Sequence, residues 1–296
     1  MSLIHKVEQM MMEYGSGSRQ SIGAFILDKK ASLAKYSLQE IADATYTSKA
    51  AVVRFAKALG FSGWKDFLKA FWEEQSYQEQ HYTDIDANYP FGPDSTRQDI
   101  INQLCSLQIE SLLDTADLLD AAPLEECTSL LLRSKRIAVF GLNPNITLAE
   151  LFKRRMLTIG RQVELPNMGD SGLLAHSLTA EDCALIISYS GNSITHGPLS
   201  VLPALEERGV PVIALTSVGD NLLRQRATYT LSISSYERLY SKISTFATEN
   251  SILYILNILF ACCFAADYEA NMSYKIDTAR RLEVDRRTTE QALREE

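Results

Sequence analysis

The strongest fold signal in the chain is the stretch Cys183-Ala-Leu-Ile-Ile-Ser-Tyr-Ser-Gly-Asn-Ser193. It begins as an apolar run and ends in a group of hydroxyl-bearing residues around one glycine. A short apolar run that ends in turn residues is typical of a buried strand. We expect a helix to begin near Ile194, so that backbone N–H groups, hydroxyls and the positive end of a helix meet at this turn. Such a turn suits a phosphate or a similar anion.

Four other segments also resemble short apolar strands, and most are separated by lengths of chain that suit a helix. They are residues 137–140, 162–165, 211–215 and 228–233. Alternating strands and helices predict a parallel sheet that is covered by helices on both faces. A long apolar helix over about 244–267 is expected to pack on this sheet. Its longest apolar stretch, 252–266, is shorter than the ~20 residues that cross a bilayer, so we expect a buried helix and no membrane partner.

Composition limits the classes of partner. The chain has 296 residues, which indicates about two domains, and a net charge of −8, which argues against a general polyanion binder. The charge is uneven, because between Thr45 and Trp72 five basic residues stand against one acidic residue. A basic patch of this kind fits a nucleic-acid surface, and it fits an ordinary solvated helix face equally well.

The cysteines and the start of the chain bear on compartment and on metal chemistry. The five cysteines form no C-x-x-C pair and lie in apolar segments, so we expect buried thiols in a reducing cytoplasm. The first residues lack the basic and apolar regions of a signal peptide. No H-E-x-x-H or Cys/His metal spacing occurs. The sequence therefore predicts a cytoplasmic protein with no metal site and no cofactor.

The N-terminal residues carry the signals of a helix-turn-helix. Ser37-Leu-Gln-Glu40 is a capping box that opens a short helix, 38–45. Thr47-Ser48 begins a second helix, 49–59, which stops at Gly60. Two short capped helices joined by a few residues form this motif, although any all-α domain contains capped helices. Val53, Ala56, Leu59 and Ile41 are expected to form its core.

In a helix-turn-helix, the first turns of the second helix reach the bases in the major groove. Ser48 can cap the helix and touch a phosphate, basic side chains can reach bases or backbone, and small residues allow close approach. The residues that we expect to contact operator DNA are Ser48, Lys49, Ala50, Ala51, Arg54 and Lys57.

These patterns divide the chain. We predict a helix-turn-helix domain over 1–74, a linker over 75–95, an α/β domain over 96–271 and a charged helical tail over 272–296. The linker is predicted because residues 75–95 show no period and contain Pro90, Gly92 and Pro93. The tail is expected to be exposed or to serve self-association.

Residues 18 to about 72 resemble the N-terminal domain of the RpiR family, bacterial regulators that respond to sugar phosphates. The residues that match the family pattern are Ser48, Ala50-Ala51, Val52-Val53, Arg54-Phe55, Leu59-Gly60-Phe61, Gly63 and Trp64. Two positions depart from it. Ala51 stands where the family usually has Thr, and Thr45-Tyr46-Thr47 stands where it usually has Leu-Gly-Val.

Residues from about 124 to 268 resemble the sugar isomerase (SIS) domain, which binds phosphosugars at the carboxyl ends of its strands. The expected architecture is therefore multidomain: an all-α helix-turn-helix domain, then an α/β SIS domain with a five-stranded parallel sheet between helices. The family form Ser-x-Ser-Gly-x-Thr is matched by loop 188–193, where Ser193 replaces the Thr. In the first loop, 141–145, the family shows Gly-x-Gly-x-Ser, and here Asn143 and Asn145 replace the second Gly and the Ser.

The resemblance implies a set of effector-binding residues. They are Gly141, Asn143, Asn145, Ser188, Ser190, Gly191, Asn192, Ser193, Thr216 and Glu249. The implied effector is a phosphosugar or an amino-sugar phosphate. The implied assembly is a homodimer or a tetramer that presents paired helix-turn-helix domains to double-stranded operator DNA.

Some SIS domains are isomerases, which need a general base near the reacting carbons. The candidates here are Glu150, His176, His196 and Glu249. An isomerase with an appended helical domain is therefore the alternative reading. The helix-turn-helix favours a regulator, for which no catalytic residue is predicted.

Overall fold

The computed structural model of this protein describes residues 3, 6, 7, 10, 11, 17–81, 85–195, 197–234 and 236–282. His196 and most of the predicted tail, 283–296, lie outside these residues. The rest of the predicted tail falls in the last described helix, Tyr268–Leu282, which buries none of its side chains.

The described residues of the predicted helix-turn-helix domain, 17–74, are mainly helical, as predicted, and the last helix continues to residue 81, into the predicted linker. The helices are α1 (Ser18–Asp28), α2 (Leu38–Ala44), α3 (Lys49–Ala58) and α4 (Trp64–His81), with a 3-10 helix at Lys30–Lys35. The capping box is present: the Ser37 hydroxyl accepts the Glu40 N–H, and the Glu40 carboxylate accepts the Ser37 N–H at 2.7 Å. α3 begins at the predicted residue because the Ser48 hydroxyl accepts the Ala51 N–H at 3.2 Å.

The core of this domain differs in one respect from the prediction. α3 buries Val52, Phe55 and Ala56 fully, whereas Val53 and Leu59 are only half-buried. Both members of the valine pair suit a core. Only the packing of α3 on α1, α2 and α4 selects which of the two points inward.

The second half of the chain contains the predicted five-stranded parallel sheet. Its strands are β1 (Ile137–Gly141), β2 (Val163–Glu164), β3 (Cys183–Ile187), β4 (Val212–Ser217) and β5 (Tyr229–Ile233). The spatial order is β2-β1-β3-β4-β5, and every neighbouring pair is parallel. β1, β3 and β4 therefore end side by side at one edge of the sheet.

Helices cover both faces, as expected for a parallel sheet. One face packs against α6 (Ala121–Arg133), α7 (Asn145–Leu157) and α11 (Phe246–Ala265). The other packs against α8 (Ser171–Ser177), a 3-10 helix at Pro198–Val201, α9 (Leu202–Glu207) and α10 (Leu222–Arg226). α5 (Arg97–Leu118) packs on α11, and α12 (Tyr268–Leu282) follows α11 along the chain.

α11 is long and apolar enough to cross a membrane by length and composition. In the structure it is a core helix, because Ile252, Ile255, Leu256 and Leu259 are fully buried against the sheet. The prediction of a buried helix is therefore confirmed.

The predicted linker is ordered over much of its length. α4 continues to His81, and residues 85–92, here called the strap, pack on the α/β domain. Ala87 is buried against Leu107 and Ala247, with Ile85 and Phe246 beside them. A segment without a period can still be held by a few apolar side chains. The domain boundaries at 74, 95 and 271 remain predictions.

The cysteines are free, but they are not all buried. Cys127, Cys183 and Cys263 are buried, and burial raises the pKa of the Cys127 thiol to about 12. Cys105 is exposed on α5 and Cys262 is half-buried, which corrects the expectation for those two. Both lie in apolar helices, and only the packing shows which side of each helix faces outward.

Candidate functional site

The residues expected to contact DNA share one side of α3. Ser48, Lys49, Ala50, Arg54 and Lys57 are exposed, and Ala51 is half-buried. The core residues of α3 lie on the opposite side. The Ser48 hydroxyl accepts a hydrogen bond as the helix cap, and its own O–H can still donate to a phosphate.

The basic side chains on this face are electrostatically uncompensated. The structure records no ion pair between Lys49, Arg54 or Lys57 and another described residue. Exposed cations without a paired carboxylate can neutralise phosphates and release counterions. This face of α3 is therefore suited to a polyanion even though the whole chain is acidic.

The predicted effector loops meet at the carboxyl edge of the sheet. Gly141, at the end of β1, lies beside Ile187, at the end of β3. Further along, the chain that follows β3 comes close to the first loop at Gly197, where an added Cβ would lie 3.2 Å from the Leu142 Cδ1. The structure thus brings together the two segments that the sequence singled out.

The helix expected near Ile194 is absent from the described residues at that position. The chain instead continues to a 3-10 helix at Pro198–Val201 and to α9 from Leu202. Gly197 has φ 79 and precedes Pro198 at the first helical position, which sets the start of the helix. The 188–193 turn therefore does not receive the positive helix end that we expected there.

Loop 188–193 is held by backbone hydrogen bonds to β4 and α10. The Ser217 N–H donates to the Tyr189 carbonyl at 3.1 Å, and the Leu223 N–H donates to the Gly191 carbonyl at 2.9 Å. The Asn192 Oδ1 accepts the Leu222 N–H at 3.1 Å. Inside the loop, the Ser188 hydroxyl accepts the Gly191 N–H at 3.3 Å. These bonds fix the loop before any ligand binds.

Gly191 is the tightest point of the loop. It is buried with φ 61, and a Cβ at this position would lie 2.3 Å from the Asn221 Oδ1 and 2.6 Å from the Thr216 Oγ1. Only glycine fits both the conformation and the space. Gly141 differs, because a Cβ there would find ordinary contacts at 3.6 Å.

The hydroxyls of the loop differ in how open they are. Ser190 is half-exposed and Ser193 is exposed, so both can reach a ligand. Thr216 is fully buried, and its hydroxyl donates to the Tyr189 carbonyl at 3.4 Å. Thr216 thus supports the loop from beneath.

Two residues that the sequence reasoning missed support this loop. Asn221 is buried, caps α10 by accepting the Arg224 N–H at 3.0 Å, and donates to the Ser217 carbonyl at 3.4 Å. The Arg224 Nη2 donates to the Ser217 carbonyl at 3.1 Å and to the Ser232 hydroxyl at 2.8 Å. The only available signal for them was an Asn directly before an apolar pair, which is a helix-cap signal.

Arg224 also adds positive charge to this edge. Its Nε is buried and has no hydrogen-bond partner among the described residues, and burial lowers the pKa of its guanidinium. The structure records no ion pair for it with a described carboxylate. A partly buried cation without a counter-charge favours the approach of an anion.

The first loop presents amides where the resemblance expects a Gly and a Ser. The Asn143–Pro144 peptide bond is cis, and Asn143 is exposed, with its Oδ1 accepting the Thr147 hydroxyl at 3.2 Å. Asn145 is half-buried and opens α7. Both side chains lie at the same edge of the sheet as loop 188–193.

A buried carboxylate, that of Glu237, caps the first turn of α11. Glu237, whose side chain is fully buried, accepts the Ala247 N–H at 2.6 Å and the Thr248 hydroxyl at 2.7 Å. Lys242 lies 3.4 Å from the same carboxylate. The sequence reasoning missed Glu237 because it stands nine residues before the helix, in a segment without a period.

The candidate bases do not form one cluster. Glu249 lies in the first turn of α11, where its carboxylate accepts the Thr245 hydroxyl. Glu150 is exposed on α7 and lies 3.6 Å from Lys153. His176 is exposed on α8, across the sheet from α7. Within the described ranges no group of three or more His, Cys, Asp or Glu residues could hold a metal.

A cavity of about 640 Å³ opens elsewhere on this domain, along the edge strand β2. Lys153, Glu164, Asp170 and Leu173 contribute to its lining. None of its lining residues belongs to loop 141–145 or loop 188–193. The cavity is therefore separate from the effector loops.

Comparison with known proteins assigns both halves of the chain. The family model described as the helix-turn-helix domain of the rpiR family matches residues 1–78. The model of the SIS domain matches residues 130–254. These matches cover the two regions built up above from separate features.

Curated relatives that are named as HTH-type transcriptional regulators match this chain over most of their length. An uncharacterized HTH-type transcriptional regulator of Bacillus subtilis, YbbH, is 26% identical over 268 residues, which cover 89% of this chain and 90% of the relative. A similarly named protein of Haemophilus influenzae is 26% identical over 246 residues, which cover 82% of this chain and 84% of the relative.

Solved structures share the fold. NanR of Vibrio vulnificus, in complex with ManNAc-6P, has a TM-score of 0.57 at 20% identity and covers 97% of this chain and 100% of its own. The sugar isomerase domain of the RpiR transcription factor from Sphaerobacter thermophilus has a TM-score of 0.54 at 18% identity, covering 62% and 99%. With an rpiR-type DNA-binding domain, a SIS domain and curated relatives that are named as HTH-type transcriptional regulators, the chain belongs to the rpiR family of helix-turn-helix transcriptional regulators.

Proposed function

We propose that this regulator binds a phosphosugar or an amino-sugar phosphate at loop 188–193, and that this effector controls its affinity for operator DNA. The observation that carries the proposal is the pre-formed loop at the carboxyl edge of the sheet. Its backbone is pinned to β4 and α10, it packs against Asn221 through Gly191, and the uncompensated Arg224 lies next to it. The ligand of the similarly folded NanR, ManNAc-6P, is of this chemical class.

In this proposal the phosphate is bound by the hydroxyls of Ser190 and Ser193 and by N–H groups of the loop. The sugar faces loop 141–145, where the amides of Asn143 and Asn145 can donate and accept hydrogen bonds. A loop with two amides in place of a Gly and a Ser favours a ligand with its own amide or extra hydroxyls. Glu249 stands at the start of α11, where it can accept a sugar hydroxyl.

The DNA-binding half acts in pairs. We propose a homodimer or a tetramer in the cytoplasm that places two α3 helices in operator half-sites about one or two helical turns apart. An effector changes the DNA affinity of this assembly only if it binds the DNA-competent and the incompetent states unequally.

A thermal-shift screen tests the effector. A ligand at 100 times its Kd stabilises the native state by about 2.7 kcal/mol. We expect at least one member of a panel of phosphosugars and amino-sugar phosphates to raise the unfolding temperature, and the parent sugars without phosphate to have no effect. A panel in which no phosphorylated sugar shifts the transition contradicts the proposal.

The double variant Ser188→Ala, Ser190→Ala tests the loop itself. We expect it to lose the stabilisation by phosphosugars, because it removes the Ser188 hydroxyl, which holds the loop, and the Ser190 hydroxyl, which binds the phosphate in this proposal. Operator binding in fluorescence anisotropy should stay at the wild-type level. Ser106→Ala, on α5, is the control and should keep the full effect. An unchanged response in the double variant would place the effector elsewhere.

The strap supplies a physical connection from the effector domain to the DNA-binding domain. Asn88 is buried, its Oδ1 accepts the Arg238 N–H at 2.6 Å, and its carbonyl accepts the Ile243 N–H at 2.9 Å. The loop that it holds, 236–243, also carries Glu237, the cap of α11. We propose that effector binding next to α11 shifts this loop, and that the strap transmits the shift to α4.

Asn88→Ala is therefore expected to uncouple the two domains. Losing a buried side chain that makes hydrogen bonds costs about 1–3 kcal/mol of stability. The variant should still bind effector and operator separately, but adding effector should change its operator affinity less than in the wild type. Asn102→Ala, on the exposed side of α5, is the control. A wild-type effector response in Asn88→Ala would exclude the strap as the connection.

A further inference from the structure

Tyr46 has an unusual conformation at an unusual place. It lies in the turn between α2 and α3 with φ 51, and its side chain is 97% exposed. A bulky residue in the left-handed region is a rare outlier, and such strain costs about 1–3 kcal/mol. The family form has a Gly at this position, which would adopt the conformation without strain.

The fold of the DNA-binding domain does not need the Tyr46 ring. The turn is held by its two neighbours: Thr45 is buried, its hydroxyl donates to the Ile41 carbonyl at 2.7 Å, and it lies 2.9 Å from the Thr47 hydroxyl. The Tyr46 ring is not among the side chains that pack on the domain core. The strained backbone therefore holds an aromatic ring in solvent.

The position of the ring points to a use. Tyr46 stands two residues before Ser48, the cap of α3, and the first turns of α3 carry Lys49 and Ala50 on the exposed face. When these turns enter the major groove, the turn before them lies beside the sugar-phosphate wall of the groove. A tyrosine hydroxyl can donate to a phosphate oxygen, and its ring can pack on the sugars.

We infer that Tyr46 is an operator contact, in which the phenol binds the sugar-phosphate backbone at the edge of each half-site and so sets how α3 sits in the groove. The inference rests on the DNA-binding function of the helix-turn-helix. Because the contact is to the backbone, it strengthens binding to all duplexes by a similar factor. Because the phenol is neutral, it adds nothing to the salt dependence of binding.

Tyr46→Gly separates this role from a structural one, since the substitution removes the ring and also relieves the backbone. In the DNA-free protein it is expected to raise the unfolding temperature. On a duplex selected by the wild-type protein from a random pool, fluorescence anisotropy should show affinity lowered about five- to tenfold for each half-site, the loss that one typical hydrogen bond accounts for. The same factor is expected on unselected duplex, and the slope of log affinity against log salt should not change.

Tyr46→Phe keeps the ring and the backbone strain and removes only the hydroxyl. Its operator affinity should therefore fall between that of the wild type and that of Tyr46→Gly. Trp72→Ala, which removes an exposed aromatic from α4, is the control and should bind as the wild type does. If Tyr46→Gly binds the selected duplex as tightly as the wild type or more tightly, the inference is wrong. If the wild-type protein selects no duplex and shows no salt-dependent binding, the DNA-binding function itself fails, which is a separate result.

Discussion

Gly191→Ala is expected to abolish effector binding and to destabilise the effector domain. The new Cβ would lie 2.3 Å from the Asn221 Oδ1 and 2.6 Å from the Thr216 Oγ1, and both residues are buried. The strain of a left-handed alanine and the overpacking each cost about 1–3 kcal/mol. Urea unfolding should show the loss of stability. Calorimetric titration with the phosphosugar found in the thermal-shift screen should show no binding.

Gly209→Ala is the matched control for this substitution. Gly209 also has a positive φ, 65, but a Cβ there would make only an ordinary contact, at 3.9 Å from the Ala180 Cβ. Alanine at this position therefore has the backbone strain without the clash. Gly209 also lies before the start of β4, whereas loop 188–193 is bonded to the end of that strand. Effector binding should survive in Gly209→Ala. If Gly191→Ala binds the phosphosugar as well as this control does, loop 188–193 is not the binding loop.

Arg54→Ala is expected to lower operator affinity strongly while leaving effector binding intact. Arg54 is exposed on the outer face of α3, in the second turn of the helix, and forms no recorded ion pair with a described residue. Loss of an arginine that contacts a base costs about 1–3 kcal/mol, which corresponds to a loss of affinity of about 5- to 150-fold. Anisotropy titrations at several salt concentrations measure this loss. The thermal shift caused by the phosphosugar shows whether effector binding by the other domain is intact.

The control for Arg54→Ala removes the same charge from the effector domain. Arg97 is exposed at the start of α5, so Arg97→Ala changes the net charge equally and should leave operator affinity nearly unchanged. Equal operator affinity in Arg54→Ala and Arg97→Ala would show that α3 does not read the groove in the expected way.

Local signals in the sequence predicted the elements of the fold well. The capping box Ser37–Glu40 and the Ser48 cap placed the starts of α2 and α3, because a helix cap is formed by residues three apart. Five apolar runs predicted five strands, and their alternation with helices predicted a parallel sheet. The failure near Ile194 is also local in origin: Gly197 and Pro198 outweighed the apolar pattern that suggested an earlier helix.

The candidate site was predictable only in part. Loop 188–193 and loop 141–145 could be found because each directly follows an apolar run. Asn221, Arg224 and Glu237 could not, since each acts through partners that only the folded chain brings near. Tyr46 was visible as a departure from the family form, but its exposure and its left-handed backbone were not.

The amino-acid sequence alone was enough to predict the two halves of this regulator and their helices and strands. It also predicted the segments that we expect to face DNA and effector. Caps, apolar periods and turn residues are short-range signals, and they survive without knowledge of the rest of the chain. Only the tertiary structure decided which of Val52 and Val53 is buried, and that Gly191, but not Gly141, is sterically required. It also decided that Asn88 binds the strap to the loop that carries Glu237. These features depend on contacts between residues up to 150 positions apart, whose geometry is set by packing and is not encoded in any local pattern.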